Sequence, residues 1–230
     1  MKKTLTILGV LAGTAGVYAQ GTINMADYEA SPAFNISVFA PSTTTPGVQS
    51  SGNTAADSPA GTQTYSGQAI GGSTTGTGPF NYANGNNYTV GLYLATTQAG
   101  LVTALTGAPV GTTTFNTTAS GIGNWTYSAL NITDNNISPG TPVFVELAAW
   151  DNNGGAITSY AAALAANLPA GHSVASTGTD ALGGGSPPVT APGLGGLGLT
   201  SFNLTTTVPE PSTIAMGIMG ASAFLFRRRK

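Results

Sequence analysis

Few side chains in this sequence are equipped for acid–base, nucleophilic or metal chemistry, and they are scattered. The carboxylates are Asp27, Glu29, Asp57, Asp134, Glu146, Asp151, Asp180 and Glu210; His172 is the single histidine, and cysteine is absent. A glycosidase needs two carboxyl groups facing each other across a cleft, whereas Glu146 and Asp151 fall on or just after one predicted strand. A serine nucleophile needs a positioned histidine. His172 lies in the loop-like Gly171-His172-Ser173, and no Gly-x-Ser-x-Gly turn surrounds any serine. No cation is at hand to stabilise an oxyanion, and one histidine makes no metal centre. Asp151-Asn152-Asn153-Gly154-Gly155 and Asp134-Asn135-Asn136 have the composition of calcium-loop fragments. An EF-hand loop begun at Asp151, however, puts Ala162 where the bidentate acid belongs, and Asp or Asn before glycine is also what a turn demands. The expectation is a chain that is not an enzyme, with no cofactor and no metal.

Aromatic and polar surface chemistry leaves more room. Trp125 and Trp150, with eight tyrosines, suit either a sugar-stacking platform or a buried aromatic core. Sequons at Asn35, Asn87, Asn116, Asn124, Asn131, Asn136 and Asn203 follow largely from a composition rich in Asn and Thr. A Thr-rich ice-binding face would need regular Thr-x-Thr ranks on successive strands, and these are absent.

The placement of charge is more informative than its total of -2. Lys2 and Lys3 open the chain, Arg227, Arg228, Arg229 and Lys230 close it, and residues 4–226 contain no Lys or Arg. Residues 20–208 therefore hold seven carboxylates and no fixed cation. Nucleic acid is excluded as a partner, because its binding depends on Lys and Arg displacing counterions from phosphates. Other polyanions are disfavoured on the same grounds. No internal salt bridge is expected, so folding must rest on apolar burial and backbone hydrogen bonding. With 41% apolar residues and a body of roughly 190 residues, one domain with a real core is feasible without disulfides.

Both ends read as addresses. At the front, two lysines precede the uncharged stretch Leu5 to Val17, and Val17-Tyr18-Ala19 supplies small residues at the −3 and −1 positions. This is a secretory signal peptide over residues 1–19, cut by signal peptidase between Ala19 and Gln20. At the rear, Val208-Pro209-Glu210-Pro211-Ser212-Thr213 leads into the uncharged segment 212–226 and then the basic quartet. Two prolines forbid a helix upstream of Pro211 and hold the motif extended. As a helix, residues 212–226 would span roughly 22 Å, short of a hydrocarbon core of roughly 30 Å, so snorkelling cations must help it across. The positive-inside rule puts Arg227, Arg228, Arg229 and Lys230 in the cytoplasm as a stop, with the body outside.

This order of Pro-Glu-Pro, short hydrophobic helix and terminal arginines resembles the PEP-CTERM sorting signal. The resemblance implies recognition by exosortase, a membrane-embedded cysteine protease of Gram-negative bacteria that make exopolysaccharide and biofilm. It further implies export, an inner-membrane intermediate, and a final place at the cell surface or in the extracellular matrix. The body segments "GLYLA", "TTFNTT", "PGTPVFVELAAWD" and "TSYAAALAAN" are similar to exported PEP-CTERM proteins of Verrucomicrobia-like bacteria, which implies a β-sandwich without a defined activity.

The elements that must position these residues are short strands separated by turn-rich stretches. Phe34, Ile36 and Val38 alternate with Asn35 and Ser37; Val90, Leu92 and Leu94 oppose Tyr93. In Val143 to Trp150, Val143, Val145 and Leu147 point one way and Phe144, Ala148 and Trp150 the other, which predicts a central strand, with Glu146 the polar exception. Helical stretches are predicted at Ser159 to Leu168, ended by Pro169, and at Gln98 to Leu105. The expected fold is mainly β: a single antiparallel sandwich over residues 20–207, jelly-roll or immunoglobulin-like, with one or two short helices between an N-terminal signal helix and a C-terminal hydrophobic helix. Residues 40–80 read as a long excursion between strands, and 183–198 as a flexible loop. The reading for the body is a structural or adhesive surface component; the alternative is a carbohydrate-binding module associated with exopolysaccharide.

Overall fold

The computed structural model describes residues 21–31, 33–77, 80–125, 128–132 and 137–206. The signal peptide with Ala19 and Gln20, the tail 208–230 and the Asp134-Asn135-Asn136 fragment lie outside the described residues. Among the described residues, no helix is long and apolar enough to cross a membrane.

β-branched and aromatic residues spaced at a period of two dominate the two longest strands. These are β5 (Tyr88–Ala95) and β8 (Pro142–Asp151), preceded along the chain by β1 (Gly21–Met25), β2 (Tyr28–Ala30), β3 (Ala33–Asn35) and β4 (Val38–Phe39). Between β5 and β8 come α1 (Gly100–Ala104), β6 (Gly111–Thr114) and β7 (Ser128–Ile132). After them follow α2 (Tyr160–Ala165), β9 (Ala170–His172), β10 (Asp180–Ala181), β11 (Gly183–Gly184) and β12 (Phe202–Asn203).

β8 is central, as its two apolar faces require. It pairs antiparallel with the whole length of β5, from Tyr88 opposite Asp151 to Ala95 opposite Phe144. Its other edge takes β10 at one end and β9 at the other, and β6 closes the far side of β5. A second sheet, in the order β11-β1-β7, runs Ile23 against Leu130. β2 and β3 form a hairpin, whereas β4 and β12 pair in parallel, a departure from the all-antiparallel expectation. The protein is thus mainly strand, with few short helices and several antiparallel sheets.

The two larger sheets feed one apolar cluster: Ile23 and Met25 from β1 meet Val90, Leu92 and Leu94 from β5 and Val143, Val145 and Leu147 from β8. Each such side chain contributes about 1.5–3 kcal/mol by leaving water. The reverse face of the β5–β8 sheet buries Tyr93, Ala148 and Trp150 beneath Ala163 of α2, with Ala104 of α1 packed alongside. α2 begins where Ser159 Oγ accepts from Ala162 N–H at 3.2 Å, and it stops before Asn167, whose φ of 56° is left-handed.

Two low-complexity stretches are tied into this frame. Within 40–80 the chain forms isolated bridges, such as Asn35 with Ser58 and Phe39 with Ala69, but no long strand. The stretch 183–198 is anchored on both sides of an exposed middle, 186–190, which corrects the expectation of a loop free along its length. Gly183 and Gly184 pair with β1, and Leu194 and Leu197 are buried.

Gly91 sits mid-strand because Trp150 lies over it: a Cβ there would fall 2.7 Å from the indole. Gly91→Ala is expected to cost about 1–3 kcal/mol through overpacking. Leu147→Ala is expected to cost about 2–5 kcal/mol through a cavity in the shared cluster. Urea unfolding of both variants checks the pair, and an unchanged midpoint in either contradicts the packing described.

Candidate functional site

Glu146 is the polar exception on β8, and the register brings it beside β9. Because Ala148 lies opposite His172, the imidazole reaches back along the sheet, and its Nδ1 lies 2.6 Å from Glu146 Oε1. Nδ1 also lies 2.9 Å from Ser173 O. Both neighbours are acceptors, which places the proton on Nδ1 and leaves Nε2 to titrate. Glu146 is buried, with 6% of its side chain exposed against 35% for His172. Tyr160 of α2 packs edge-on against the imidazole at 5.6 Å, and Gln49 Nε2 donates to the His172 carbonyl. The expectation of no internal salt bridge is therefore corrected: the one residue of the body able to become cationic is paired with a buried carboxylate.

An oriented imidazole can act as a base towards a nearby hydroxyl such as that of Ser173. Ser173 Oγ is committed, donating to Val174 O at 2.8 Å and accepting from Leu147 N–H at 3.1 Å. The pair as built locks β9 against β8.

The remaining described carboxylates are held mainly by backbone N–H groups. Glu29 accepts from Leu194 N–H at 2.7 Å and Gly195 N–H at 3.1 Å, which pins the 183–198 segment. Gly193 lies directly beside the carboxylate, which a Cβ there would displace. Asp57 accepts from Thr54 N–H and from Ser201 Oγ at 2.9 Å. Asp151 Oδ1 accepts from Asn153 N–H at 2.8 Å. Asn152 Oδ1 accepts from Gly155 N–H at 3.2 Å, so Asp151 to Gly155 forms the turn that its composition also suits, with Asn153, Gly154 and Gly155 all at positive φ. Among the described residues, no group of three or more His, Asp or Glu is placed to hold a metal ion.

The candidate glycan contacts lie inside. Trp125 is 2% exposed and Trp150 0%, with their indole N–H groups donating to Met25 O and Ile157 O. Neither ring offers a face to a sugar, which corrects the stacking-platform reading at these residues. Their apolar area and a backbone partner for each N–H favoured burial. The sequence signal that could have exposed the Glu146–His172 pair was present: a lone acid on a two-sided apolar strand needs a partner, and the body offers only one cationic candidate.

Residues 207–230 match the family model of the PEP-CTERM protein-sorting motif, a span that takes in Val208 to Thr213 and the basic quartet Arg227 to Lys230. The chain is thus an exported bacterial protein, recognised by exosortase through this tail and sorted to the cell surface. No curated protein and no solved structure matches it.

The titrating groups share one sign. The Glu146 hydrogen bond holds His172 above its ordinary value of 6.5 against the opposing effect of burial. Burial pushes Asp27 and Asp151 above 3.8, partly offset by the N–H groups they accept from. A pKa raised on folding gives stability that is present below the unfolded value and lost as pH rises through the folded one. Denaturant unfolding should therefore show lower stability at about pH 8 than at about pH 5, and Glu146→Gln should flatten the decline that begins above about pH 6.5. A profile that rises towards alkaline pH would contradict the assignment.

Proposed function

We propose that the body is a non-catalytic structural or adhesive component of the cell surface or extracellular matrix, delivered in two processing steps. Signal peptidase removes residues 1–19 after Ala19, freeing Gln20 as the new N-terminus. The tail then halts in the inner membrane of a Gram-negative cell, with 212–226 as the span and Arg227, Arg228, Arg229 and Lys230 on the cytoplasmic side. Exosortase acts on Val208 to Thr213, held extended by Pro209 and Pro211, while Glu210 resists being drawn into lipid and keeps the motif at the outer interface. The mature body enters a biofilm matrix whose exopolysaccharide is its partner.

One observation carries this reading: every Lys and Arg of the chain lies within three residues of its start or four of its end, next to the matched sorting motif. Cations that serve only translocation and membrane stop can be discarded without loss to the body. The non-catalytic part is supported by Ser173 Oγ being consumed by backbone partners beside His172. It is supported too by the carboxylates Glu29, Asp57 and Asp151, which accept backbone N–H groups.

In cells lacking exosortase, the protein is expected to accumulate as a larger, membrane-associated form that retains Arg227 to Lys230. Intact mass and C-terminal peptide mapping check this. Equal masses with and without the protease would end the reading.

A further inference from the structure

With both tryptophans buried, Tyr28 is the aromatic side chain among the described residues that is left exposed, at 65%. It lies in β2 directly opposite Asn35 of β3, so the ring and that carboxamide share one face of the hairpin. Beside them is a recess of about 310 Å³ lined by Asp27, Tyr28, Asn35, Asn116, Ser120 and Asn124. Its wall is held in place before any ligand arrives. Asp27, 7% exposed, accepts from Trp125 N–H at 3.1 Å through Oδ2. Asn124 Nδ2 donates to Asn35 Oδ1 at 3.2 Å and Ile36 O at 3.3 Å, and Asn116 N–H donates to Asn124 O at 2.9 Å.

We propose that this recess is a binding site for one sugar unit of an uncharged polysaccharide. A pyranose presents adjacent hydroxyls on its edge and C–H groups on its face. The carboxylate of Asp27 accepts from hydroxyls, Asn35 offers its Nδ2 as a donor and Asn124 its Oδ1 as an acceptor, their other carboxamide atoms being joined to each other, and the Tyr28 ring supplies a stacking surface. The volume is at the lower end for ligand pockets, which suits a single ring rather than a long groove. Charge selects against acidic sugars, phosphate and sulfate: Asp27 and Glu29 lie on this hairpin and its approach, and the body has no Lys or Arg to offset them. A lone carboxylate among carboxamides is a poor ligand set for a divalent cation, which needs six to eight oxygens and more charge. A second recess, of about 360 Å³ and lined by Ser42, Thr44, Thr64, Tyr65 and Ser66 among others, has no charged group. Its Ser42 hydroxyl is already bonded to Thr44 at 3.1 Å and Ser66 at 3.0 Å. It serves as the internal control.

The inference refines the matrix reading by naming the chemistry of the partner, and its test does not involve the tail. The secreted protein is titrated with neutral oligosaccharides (gluco-, manno- and galacto-oligomers) and with an oligouronate, by calorimetry and ligand-observed NMR. Saturable binding to a neutral oligomer is expected, weakened about tenfold by Tyr28→Ala through loss of stacking. Asp27→Asn, which keeps an acceptor for Trp125 N–H, is expected to weaken binding about tenfold or more. Thr44→Ala in the second recess should leave binding unchanged, and Tyr28→Ala should leave the melting temperature unchanged because its ring is exposed. The proposal is overturned by absence of saturable binding to every neutral oligomer at millimolar concentration or by preference for the oligouronate. Binding that survives Tyr28→Ala and Asp27→Asn, or that a chelator abolishes, overturns it equally. Any of these results leaves the exosortase-dependent mass change intact, so failure of the site and failure of the sorting reading are told apart.

Discussion

A carboxylate taken out of water must find compensation, and in this body no Lys or Arg exists to give it. That constraint organises much of the structure. Asp27 settles on the Trp125 amide, Asp57 on Thr54, Asp151 on Asn153 and Glu29 on Leu194 and Gly195. Each of these bonds ties a loop to a strand or closes a turn, so the acids act as staples for backbone that has no sheet partner. Long connections become tolerable for this reason, and the 183–198 stretch, which its composition marks as mobile, is seated on Glu29 with Leu194 and Leu197 in the core. Charge-assisted bonds to N–H groups are also stronger than neutral ones, which suits a chain rich in small polar residues.

Glu146 is the variation on that theme, and it explains the one histidine. On a strand whose two faces are both apolar, an N–H donor from the backbone is not available, because β8 spends its amides on its neighbouring strands and on the hydroxyls of Ser173 and Ser176. The imidazole of His172 supplies the donor instead. The consequence is a pair whose strength depends on protonation, joined to Asp27 and Asp151, whose burial also favours the protonated form. Tyrosines act in the same direction at the alkaline end: burial and the nearby Asp151 push Tyr82 up to about 12. A body built this way is suited to neutral or mildly acidic surroundings.

Export and fold share a common physical basis. Removing cations from everything between the two ends leaves a chain that crosses membranes without internal positive blocks and then presents a surface without Lys or Arg, its described carboxylates buried or only partly exposed. Such a surface offers a polyanion no Lys or Arg to bind. It leaves hydrogen bonding and aromatic stacking as the means of holding a partner, and the exposed Tyr28 beside Asp27 and its carboxamides is where both occur together.

Much of the frame was legible in advance because strand periodicity is a local property. The alternation in Val143 to Trp150 dictated a central strand with two buried faces, and the split of Leu92 from Tyr93 appears as two separate apolar clusters. Ser159 and the alanines after it announced α2, and the Pro-Glu-Pro tail with its arginines declared its own destination. What sequence could not decide was which distant residues meet. Whether Trp125 and Trp150 lie on a surface or in a core, that Glu146 faces His172, and that Asp27 shares a recess with Asn116 and Asn124 depend on register and on how loops cross the sheets. Those are long-range matters, settled only when the whole chain has buried its apolar faces and every polar group left inside has found its partner.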